Sequence, residues 1–577
     1  KKCRPPINEN ADETGGSATI AQLFPLARPR LVWVGSYSIS AMFRTLPCVS
    51  RRSNGNLSSW AIVARPFDPK QSQVATEAYR HRFLSTIAKH QRPKKVAIVG
   101  SGPSGCYTAK YLRAAWDKSG GVDEESEIAI IERLPTPYGL VRFGVAPDHP
   151  EVKNVQNDFN SLFESKKGIQ FYGNVEVGRD LTIDELRSRF DAVILATGCE
   201  SDRKLGLPNE ENLTGILSAR EFVAWYNGHP DFTHVGNYVR EALGAETDDQ
   251  DIHNASVCIV GQGNVALDCA RILAKGGKGL FDTDIASHTL PVLGNGVAQI
   301  TVVGRRGHIQ GAFTIKELRE LVQLKEEGFG TSFVVREDEL DLGSTPASIE
   351  ELESAGGRPK QRINKLLRKA ATENEEIDAP KRIDLRFLMA PSTWEPSQND
   401  PSRLGAVICE RTRLVGEPGR QRAIGSGETE RIPAQLALVS IGYKAVAISS
   451  LDEKYFDEDR GVVKHVNGRI DNPNPSLGGL YAAGWLKRGA TGIIGTNIPD
   501  ARETVATILG DLQRPPAAEG SRGNSSLSSL LEERGVKIVN WEAYQRIVDR
   551  ESVQRRTESQ PREKITDLNE LIETALV

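Results

Sequence analysis

The sequence predicts an α/β fold that contains two separate βαβ units, and three observations support this. A short apolar, β-branched run leads into a glycine-rich turn and a helix-compatible stretch at residues 96–116, and the same order recurs at 257–273. A chain of 577 residues is also too long for one hydrophobic core, which favours two or three domains. Its composition, 39% hydrophobic and 26% charged, is typical of a globular protein, and no apolar run approaches the roughly 18 residues that a membrane span needs.

Residues 1–92 differ in composition from the rest of the chain. No acidic residue occurs between Glu13 and Asp68, and the stretch from Met42 to Phe67 contains four arginines and four serines. This composition is typical of an organelle transit peptide, so we predict one that begins at Met42, where translation would start. A disordered basic tail without a targeting role is the alternative.

The first βαβ unit contains a dinucleotide-binding pattern. The apolar run Val96–Val99 continues into Gly100-Ser101-Gly102-Pro103-Ser104-Gly105 and then into a helix-compatible stretch, Cys106–Trp116. In such a pattern Gly100 permits the tight turn, Gly102 lets the backbone approach a pyrophosphate, and Gly105 lets the helix pack closely on the strand. The N-terminus of the helix then faces the anion.

A second apolar run in this unit ends in an acidic residue. Residues 128–131 are followed by Glu132, whose carboxylate can accept hydrogen bonds from both hydroxyls of a ribose. The Gly- and Pro-rich stretch 135–150 comes next, and a long stretch of this kind inside a regular α/β pattern is more often a binding loop than a plain connector. These features predict a nucleotide site at one edge of the first sheet.

The second unit has the same pattern with a different ending. Residues 257–260 lead into Gly261-Gln262-Gly263-Asn264-Val265-Ala266, where Ala266 replaces the last glycine, as the pattern allows. The next apolar strand, 299–304, ends in Arg305 and Arg306 instead of an acid, after an insertion at 275–298. Because guanidinium groups match a 2′-phosphate that a carboxylate would repel, this unit is predicted to bind NADP and not NAD. A solvated arginine pair on a turn is the alternative.

A basic stripe is predicted on a helix in the polar region 345–380. Four basic residues recur there at i, i+4, i+7 and i+11, and the apolar residues fall largely on the other side. The stripe is either solvated surface or a docking face for an acidic partner. Its members are Arg358, Arg362, Lys365 and Lys369.

The remaining sequence predicts strands at 383–389, 404–411 and 434–441, and a third glycine-rich turn that opens a helix at about 498. Residues 514–526 indicate a flexible linker before a charged helical tail.

Charge and cysteine content exclude some functions. A net charge of −3 argues against a general nucleic-acid binder. The seven cysteines show no Cys-x-x-Cys spacing, which indicates neither a redox-active disulfide nor a structural zinc site. We expect most of them to be small buried apolar side chains: Cys3, Cys48, Cys106, Cys199, Cys258, Cys269 and Cys409.

Two dinucleotide-binding patterns in one chain resemble the flavoproteins with two such domains. More narrowly, the sequence resembles the mitochondrial ferredoxin–NADP reductases, the adrenodoxin reductase family. The residues that carry this resemblance are Val99–Gly105, Gly139–Lys153, Gly173–Gly178, Gly261–Asp268, Gly304–Gly307, Phe313–Leu318 and the segment from Gly484 through Gly492. Residues 1–92 lie outside these motifs.

The resemblance implies two Rossmann-like domains, with the NADP domain inserted into the FAD domain. The implied divisions are a non-core region at 1–92, the first part of the FAD domain at 93–215, the NADP domain at 216–443, and the second part of the FAD domain with the C-terminal tail at 444–577. The implied FAD contacts are Gly100, Gly102, Ser104, Gly105, Glu132, Leu140, Val177, Trp485, Gly492, Ile493 and Ile494. The implied NADP contacts are Gln262, Gly263, Asn264, Val265, Arg305, Arg306, Glu317 and Gly492. Ser104 departs from the alanine that the family often has there.

The resemblance also implies an activity. The enzyme would take a hydride from NADPH to the flavin and return electrons singly to an acidic [2Fe-2S] ferredoxin of the adrenodoxin type. It would act in the mitochondrial matrix, peripheral to the inner membrane. His149 and Asp268 would form a hydrogen-bonded pair that orients groups near the flavin, unless His149 is only a packing residue. A scaffold or sensor that holds FAD and NADP without turnover is the alternative, whereas a disulfide reductase would need a reactive cysteine pair.

Overall fold

A computed structural model of the protein describes residues 94–118, 126–165, 168–243, 255–373, 381–471, 474, 476–513 and 526–577. All of them belong to one structural unit, Arg80–Val577. The predicted transit peptide lies outside the described residues, and so does all but the last residue of the predicted linker at 514–526. Within the described part of the chain, no helix is long and apolar enough to cross a membrane.

The elements are numbered along the chain. The strands are β1 (Lys95–Val99), β2 (Glu127–Ile131), β3 (Ile169–Tyr172), β4 (Ala192–Leu195), β5 (Ser201–Asp202), β6 (Ile216–Ser218), β7 (Ser256–Val260), β8 (Gln299–Gly304), β9 (Ser332–Val335), β10 (Arg382–Phe387), β11 (Met389–Pro396), β12 (Leu404–Val415), β13 (Arg422–Pro433), β14 (Leu436–Val439), β15 (Tyr443–Lys444), β16 (Phe456–Asp457), β17 (Val462–Val463) and β18 (Gly479–Ala482).

The helices are α1 (Pro103–Lys118), α2 (Leu140–Phe143), α3 (Pro150–Lys153), α4 (Val155–Glu164), α5 (Ile183–Arg187), α6 (Ala219–Tyr226), α7 (Val235–Ala242), α8 (Asn264–Gly279), α9 (Leu290–Leu293), α10 (Ile315–Gln323), α11 (Glu337–Gly343), α12 (Pro346–Glu353), α13 (Arg358–Thr372), α14 (Trp485–Arg488), α15 (Asn497–Leu512), α16 (Leu527–Glu533), α17 (Trp541–Val553) and α18 (Leu568–Leu576). Short 3₁₀ or π turns lie at Pro230–Phe232, Ser287–Thr289, His308–Gln310, Lys325–Phe329, Glu453–Tyr455 and Ile494–Thr496.

The first sheet is parallel and has the strand order β18-β4-β1-β2-β3. Its central strand β1 is buried on both faces, because Val96 and Ile98 enter one hydrophobic core while Ala97 and Val99 enter the other. This explains the continuous apolar run in the sequence, since strands covered on both sides show no polar alternation. Strands β1 and β2 pair in register up to Val99 and Ile131, so the residues that follow each strand meet at the same edge.

The second sheet is inserted between the two parts of the first. Its strand order is β6-β14-β7-β8-β10-β9, and all of its strand pairs are parallel. The chain leaves the first sheet through β5 and returns through β15, and these two short strands pair antiparallel to each other. The predicted α/β fold with two Rossmann-like units, one inserted into the other, is therefore confirmed.

A three-stranded antiparallel sheet, β11-β12-β13, covers one face of the second sheet. Its Trp394 and Val407 share a core with Cys258 and Val260 of β7. The strand predicted at 383–389 is therefore wrong as one element: it divides into β10 and β11 at Leu388, whose φ of 57° turns the chain. Strand β13 was not predicted, because most of its residues are exposed and polar or glycine and show no apolar alternation.

Candidate functional site

Three loops meet at the carboxyl edge of the first sheet. In the turn after β1, Gly100 has a φ of +104°, and a Cβ there would lie 2.5 Å from the carbonyl oxygen of Ala196. A Cβ on Gly105 would lie 1.9 Å from the carbonyl oxygen of Gly100. The strand, the turn and helix α1 can therefore approach this closely only because both positions are glycine.

The space in front of this turn is open. A Cβ added to Gly102 would meet no atom within 4 Å, at the N-terminus of α1. Nearby, the hydroxyl oxygens of Ser104 and Thr136 are buried and have no hydrogen-bond partner in the described part of the chain. A helix N-terminus with free N–H groups and unsatisfied hydroxyls suits an anionic, hydrogen-bonding ligand such as the pyrophosphate of FAD.

The predicted binding loop lies against the same turn. Tyr138 donates its backbone N–H to the carbonyl oxygen of Ser101 at 3.2 Å, and a Cβ on Gly139 would lie 3.2 Å from Cα of Gly102. On the other side, a Cβ on Gly484 would lie 2.5 Å from the hydroxyl oxygen of Ser104. The segments 135–150 and 484–497 therefore border the first glycine turn, as residues that share one ligand should.

Glu132 is held in place by the turn that it faces. Its Oε2 accepts hydrogen bonds from the backbone N–H of Ser101 at 3.0 Å and from the Ser101 hydroxyl at 2.7 Å, and its Oε1 accepts one from the N–H of Leu134 at 3.2 Å. The carboxylate is half-buried, so its remaining lone pairs can accept further hydrogen bonds. Sequence reasoning missed Ser101, although its position directly after Gly100 was a usable signal.

The other residues implied to contact FAD surround this edge with different exposure. Leu140 opens α2 and is exposed, while Val177 and Trp485 are partly buried. In the loop before α15, Gly492 is exposed and Ile493 is 64% exposed. An exposed isoleucine and a half-buried tryptophan in one loop provide apolar surface that a planar aromatic ligand would cover. The indole of Trp485 also lies 5.8 Å from the ring of Tyr443, which belongs to the connecting strand β15.

The corresponding turn of the second sheet has the same geometry. Gly261 has a φ of +134°, and a Cβ there would lie 2.1 Å from the carbonyl oxygen of Ser440, whereas a Cβ on Gly263 would meet nothing within 4 Å. The side chain of Gln262 donates to the carbonyl oxygen of Arg386, and that of Asn264 accepts from the N–H of Thr314. These two side chains therefore stabilise the loop, and its backbone faces the open space. Val265 is half-buried in the first turn of α8.

Arg305 and Arg306 lie beside this turn. The N–H of Gly261 donates to the carbonyl oxygen of Val303 at 2.9 Å, which places the end of β8 next to the turn. Both arginines are exposed, and neither guanidinium has a hydrogen bond or ion pair with any residue that the structure describes. Two unpaired guanidinium groups next to a dinucleotide turn suit the 2′-phosphate of NADP.

A buried charge cluster joins the two sheets. His149, in the binding loop of the first sheet, has its Nε2 at 2.8 Å from Oε2 of Glu320 on α10. The expected hydrogen bond between His149 and Asp268 is therefore wrong. Asp268 lies instead at 2.9 Å from Nη1 of Arg271, one turn along α8, and the same nitrogen lies 3.0 Å from Glu320. Arg271 thus occupies the place between the two carboxylates, and Glu320 is the acid nearest His149.

Arg271 also anchors the loop that carries His149. Its guanidinium forms two hydrogen bonds, of 2.9 and 3.0 Å, with the carboxylate of Asp148, and Lys275 lies 3.2 Å from the same group. Burial alone would raise the pKa of Asp148, but these cations lower it below its usual range. Next to them, Lys316 of α10 pairs with Glu151 at 2.5 Å.

The acids of this cluster have opposite pKa shifts. Burial raises the pKa of Asp268, and the charge of Arg271 only partly opposes it. Burial also acts on Glu320, but the hydrogen bond to His149 and the charge of Arg271 lower its pKa. Burial, together with the charge of Asp268, raises the pKa of Glu317, which the Thr314 hydroxyl contacts. Paired acids with pKa values pushed apart are common at functional sites.

The basic stripe is present on α13. All four of its residues are exposed, and Ile363, Leu367 and Ala370 are buried on the opposite face. Lys369 forms an i, i+4 ion pair with Glu373 at 3.5 Å. The helix and its exposed basic face therefore agree with the prediction. The role of this face in docking a partner stays a prediction. The stripe comprises Arg358, Arg362, Lys365 and Lys369.

Neither a cysteine pair nor a metal cluster accompanies the site in the described ranges. Five cysteines are free and buried, as expected: Cys106, Cys199, Cys258, Cys269 and Cys409. No group of three or more potential metal ligands occurs among these residues.

Comparisons with known proteins agree with this geometry. Residues 87–338 match the pyridine nucleotide-disulphide oxidoreductase family. The chain is 40% identical to the mitochondrial NADPH:adrenodoxin oxidoreductase of Arabidopsis thaliana, over 86% of this chain and 97% of that protein. It is 38% identical to the Homo sapiens protein of the same name, over 89% of this chain and 97% of that protein. The structure of Mycobacterium tuberculosis FprA in complex with NADPH is similar with a TM-score of 0.73 and 38% identity, covering 84% of this chain and all of the other.

Proposed function

Because the chain belongs to the family of the mitochondrial NADPH:adrenodoxin oxidoreductases, we propose that it is an FAD-dependent enzyme with the same reaction. It takes electrons from NADPH and passes them singly to a [2Fe-2S] ferredoxin of the adrenodoxin type. The observation that carries the proposal is the pair of open dinucleotide turns, of which the second has Arg305 and Arg306 beside it without a protein partner.

The first turn is assigned to FAD and the second to NADP. Gly102 and the hydroxyl of Ser104 would face the pyrophosphate of FAD, and Glu132 its ribose. Leu140, Val177 and the loop around Trp485 and Gly492 would surround the ring system. When bound, the flavin supplies the chemistry that accepts two electrons and releases them one at a time.

The NADP contacts come from the second turn and from α10. Backbone groups of 262–265 would bind the pyrophosphate, and Arg305 and Arg306 would bind the 2′-phosphate. Glu317 and Gly492 are assigned to the nicotinamide end. Burial raises the pKa of the half-buried Glu317, and its carboxyl oxygens can accept hydrogen bonds from a ligand.

His149 and Asp268 are assigned to orientation, because the transfer of a hydride needs no side-chain proton donor. They act through Arg271 and Glu320 and not through a direct hydrogen bond. In this arrangement Arg271 contacts Asp148 of the first unit and two acids of the second, so it holds the two dinucleotide sites at one angle.

The electron acceptor is assigned to the exposed basic face of α13. Complementary charge accelerates encounter with an acidic ferredoxin, and four unburied cations on one helix side provide that charge. We place the reaction in the mitochondrial matrix, with contact to the surface of the inner membrane as a further element of the proposal.

The test is spectroscopic and kinetic. The purified protein should be yellow, its flavin should be reduced much faster by NADPH than by NADH, and its reduction of cytochrome c should require an added [2Fe-2S] ferredoxin. If NADPH reduces the flavin but ferredoxin changes nothing, the cofactor assignment holds and the partner assignment fails. If the protein holds FAD and NADP but neither NADPH oxidation nor ferricyanide reduction occurs, the chain is a nucleotide-binding scaffold.

A further inference from the structure

A buried lysine lies beneath the loop that is assigned to the flavin. Lys487 is in α14, and its side chain is only 3% exposed. Its ammonium lies 3.1 Å from Oδ1 of Asp500 and 2.6 Å from Oε2 of Glu503, and it donates to the hydroxyl of Thr504 at 3.1 Å. Burial of an ammonium is costly unless it is paired and hydrogen-bonded, and here both conditions are met.

The acid that pairs with this lysine also holds the start of the loop. Oδ2 of Asp500 accepts the backbone N–H of Gly484 at 2.5 Å. The carbonyl oxygen of Gly484 accepts hydrogen bonds from the N–H groups of Lys487 at 3.1 Å and Arg488 at 3.0 Å. Gly484 is therefore held at both ends, at the point where a Cβ would contact the side chain of Ser104 in the first turn of α1.

The loop from 484 to 496 is closed by two further contacts. The indole of Trp485 donates to the carbonyl oxygen of Thr491 at 3.2 Å, and Arg488 donates to the hydroxyl of Thr496 at 3.0 Å. The same loop includes Trp485, Gly492, Ile493 and Ile494, the residues assigned to the ring system of the flavin. The position of these residues therefore depends on how Gly484 is held.

Lys487 pairs with two acids that differ in exposure, and the charge of Arg488 also acts on Asp500. The carboxylate of Asp500 is 7% exposed, whereas that of Glu503 is 52% exposed and is screened by water. Without Lys487, a buried negative charge would remain at the base of the loop. Charges in a low-dielectric environment interact strongly over several ångströms. Removal of either charge of the pair formed by Lys487 and Asp500 should therefore change the electrostatic potential at the ligand.

We propose that Lys487 and Asp500 are positioning residues that fix the 484–496 loop and set the electrostatic potential at the bound flavin, with Lys487 cancelling the charge of Asp500. This inference rests on the proposed function, because it takes the loop as the neighbour of the flavin.

The measurement is the midpoint potential of the bound FAD in the purified holoenzyme. Lys487→Met leaves Asp500 uncompensated, so the potential should become more negative, because a nearby negative charge opposes the addition of electrons. Asp500→Asn keeps an oxygen that can accept from Gly484 but removes the charge, so the potential should become more positive. The double variant should return close to the wild-type value. A purely structural role would not produce shifts of opposite sign.

Asp511→Asn is the matched control. Asp511 lies on the same helix, α15, and pairs with Arg469 at 2.6 Å, so the substitution also removes one negative charge from an ion pair. It is eleven residues from Asp500, or about 16 Å along a helix, and the potential should stay at the wild-type value.

The variants separate this inference from the proposed function. Shifts of the same sign in the two single variants, no shift in either, or an equal shift in Asp511→Asn would overturn it. If Lys487→Met does not retain FAD, the test uses the other two variants. The potential should then shift positively in Asp500→Asn and return in the double variant, and a missing positive shift or a missing reversal overturns the inference. A wild-type protein that binds no FAD, or whose FAD NADPH cannot reduce, contradicts the proposed function itself.

Discussion

At the scale of single residues, the second dinucleotide turn is distinguished by charge. The first unit ends its second strand in Glu132, whereas the second unit ends the matching strand in Arg305 and Arg306. The acid is held by Ser101, but the arginines have no partner among the residues with described positions. An acid that is held by its own loop can accept hydrogen bonds from ribose hydroxyls. A free pair of guanidinium groups can bind a 2′-phosphate.

The double variant Arg305→Ala/Arg306→Ala should lose preference for NADPH over NADH. Each charge-assisted hydrogen bond to phosphate contributes about 1.5–3 kcal/mol, so kcat/KM for NADPH should fall roughly a hundredfold or more while that for NADH changes little. Steady-state kinetics with both nucleotides measure this. Arg422→Ala, which removes an exposed arginine from β13, is the control and should change neither value. An equal loss with both nucleotides would contradict the assignment.

His308 should make the protein sensitive to mild acid. Its ring is buried, its Nε2 donates to Oδ1 of Asn364 at 2.9 Å, and burial lowers its pKa from 6.5 to about 4. As the pH falls, the histidine is therefore protonated in the unfolded chain before it is protonated in the folded protein. Its contribution to the free energy of unfolding is fully present above pH 6.5 and is lost as the pH drops toward 4.

Denaturant unfolding at several pH values measures this effect. The shift corresponds to about 3.5 kcal/mol from this side chain, at about 1.4 kcal/mol per pKa unit. His308→Gln should flatten the fall between pH 6.5 and 4 relative to wild type. Burial also lowers the pKa of His229 to about 4. A fall in stability of similar size, due to His229, should therefore remain in the His308 variant. An unchanged slope in the His308 variant would contradict this explanation.

At the scale of elements, α13 shows how a pattern can predict a helix without deciding its role. Its apolar residues Ile363, Leu367 and Ala370 are buried, so the periodicity alone predicts the helix and its outer face. The role of that face depends on a partner.

Charge reversal on α13 should weaken the interaction with ferredoxin without affecting the flavin. In Arg362→Glu/Lys365→Glu, ferredoxin-dependent reduction of cytochrome c should show a KM for ferredoxin raised at least tenfold at low salt, with a smaller difference at high salt. Reduction of ferricyanide by NADPH should stay at the wild-type rate. Glu428→Lys, which reverses an exposed charge on β13, is a control for net charge. A wild-type KM for ferredoxin would exclude α13 as the docking face.

At the scale of the whole molecule, buried ion pairs connect the two units and the C-terminal segment. Asp284, which follows α8 in the second unit, lies 2.5 Å from Lys153 of the first unit and 3.3 Å from Lys564 near the C-terminus. All three side chains are almost completely buried. Nearby, Arg556 donates to the carbonyl oxygens of Phe281, Thr283 and Ile285. The C-terminal segment therefore joins the inserted unit to the first sheet.

Asp284→Asn should destabilise the protein strongly, because it leaves two buried lysines without a counter-charge. Removal of one partner from a buried ion pair costs roughly 3–5 kcal/mol, and here one acid serves two cations. Lys564→Met should cost less, since Asp284 keeps Lys153. Thermal or denaturant unfolding of both variants measures the difference. A larger loss in Lys564→Met than in Asp284→Asn would show that the packing of the C-terminal segment, and not charge, dominates.

The features that could be read from the sequence are those encoded over short distances. Each βαβ unit follows from a buried apolar strand, a glycine turn and a helix that adjoin in the chain, and the ends of β2 and β8 follow from the residues directly after them. The turn geometry at Gly100 and Gly261 agrees with this pattern, because steric limits on φ act at single residues. The insertion of one domain into the other followed from the resemblance of several such motifs.

Tertiary structure decided the contacts between segments that are far apart in the chain. His149 contacts Glu320 and not Asp268, and Arg271 lies between the two acids. Lys487 meets Asp500, Lys564 meets Asp284, and β13 joins its sheet although its own residues are mostly exposed and polar. Residue type and spacing determine local conformation. The packing of the whole chain determines which charged groups lie together in a buried site. That arrangement sets their pKa values.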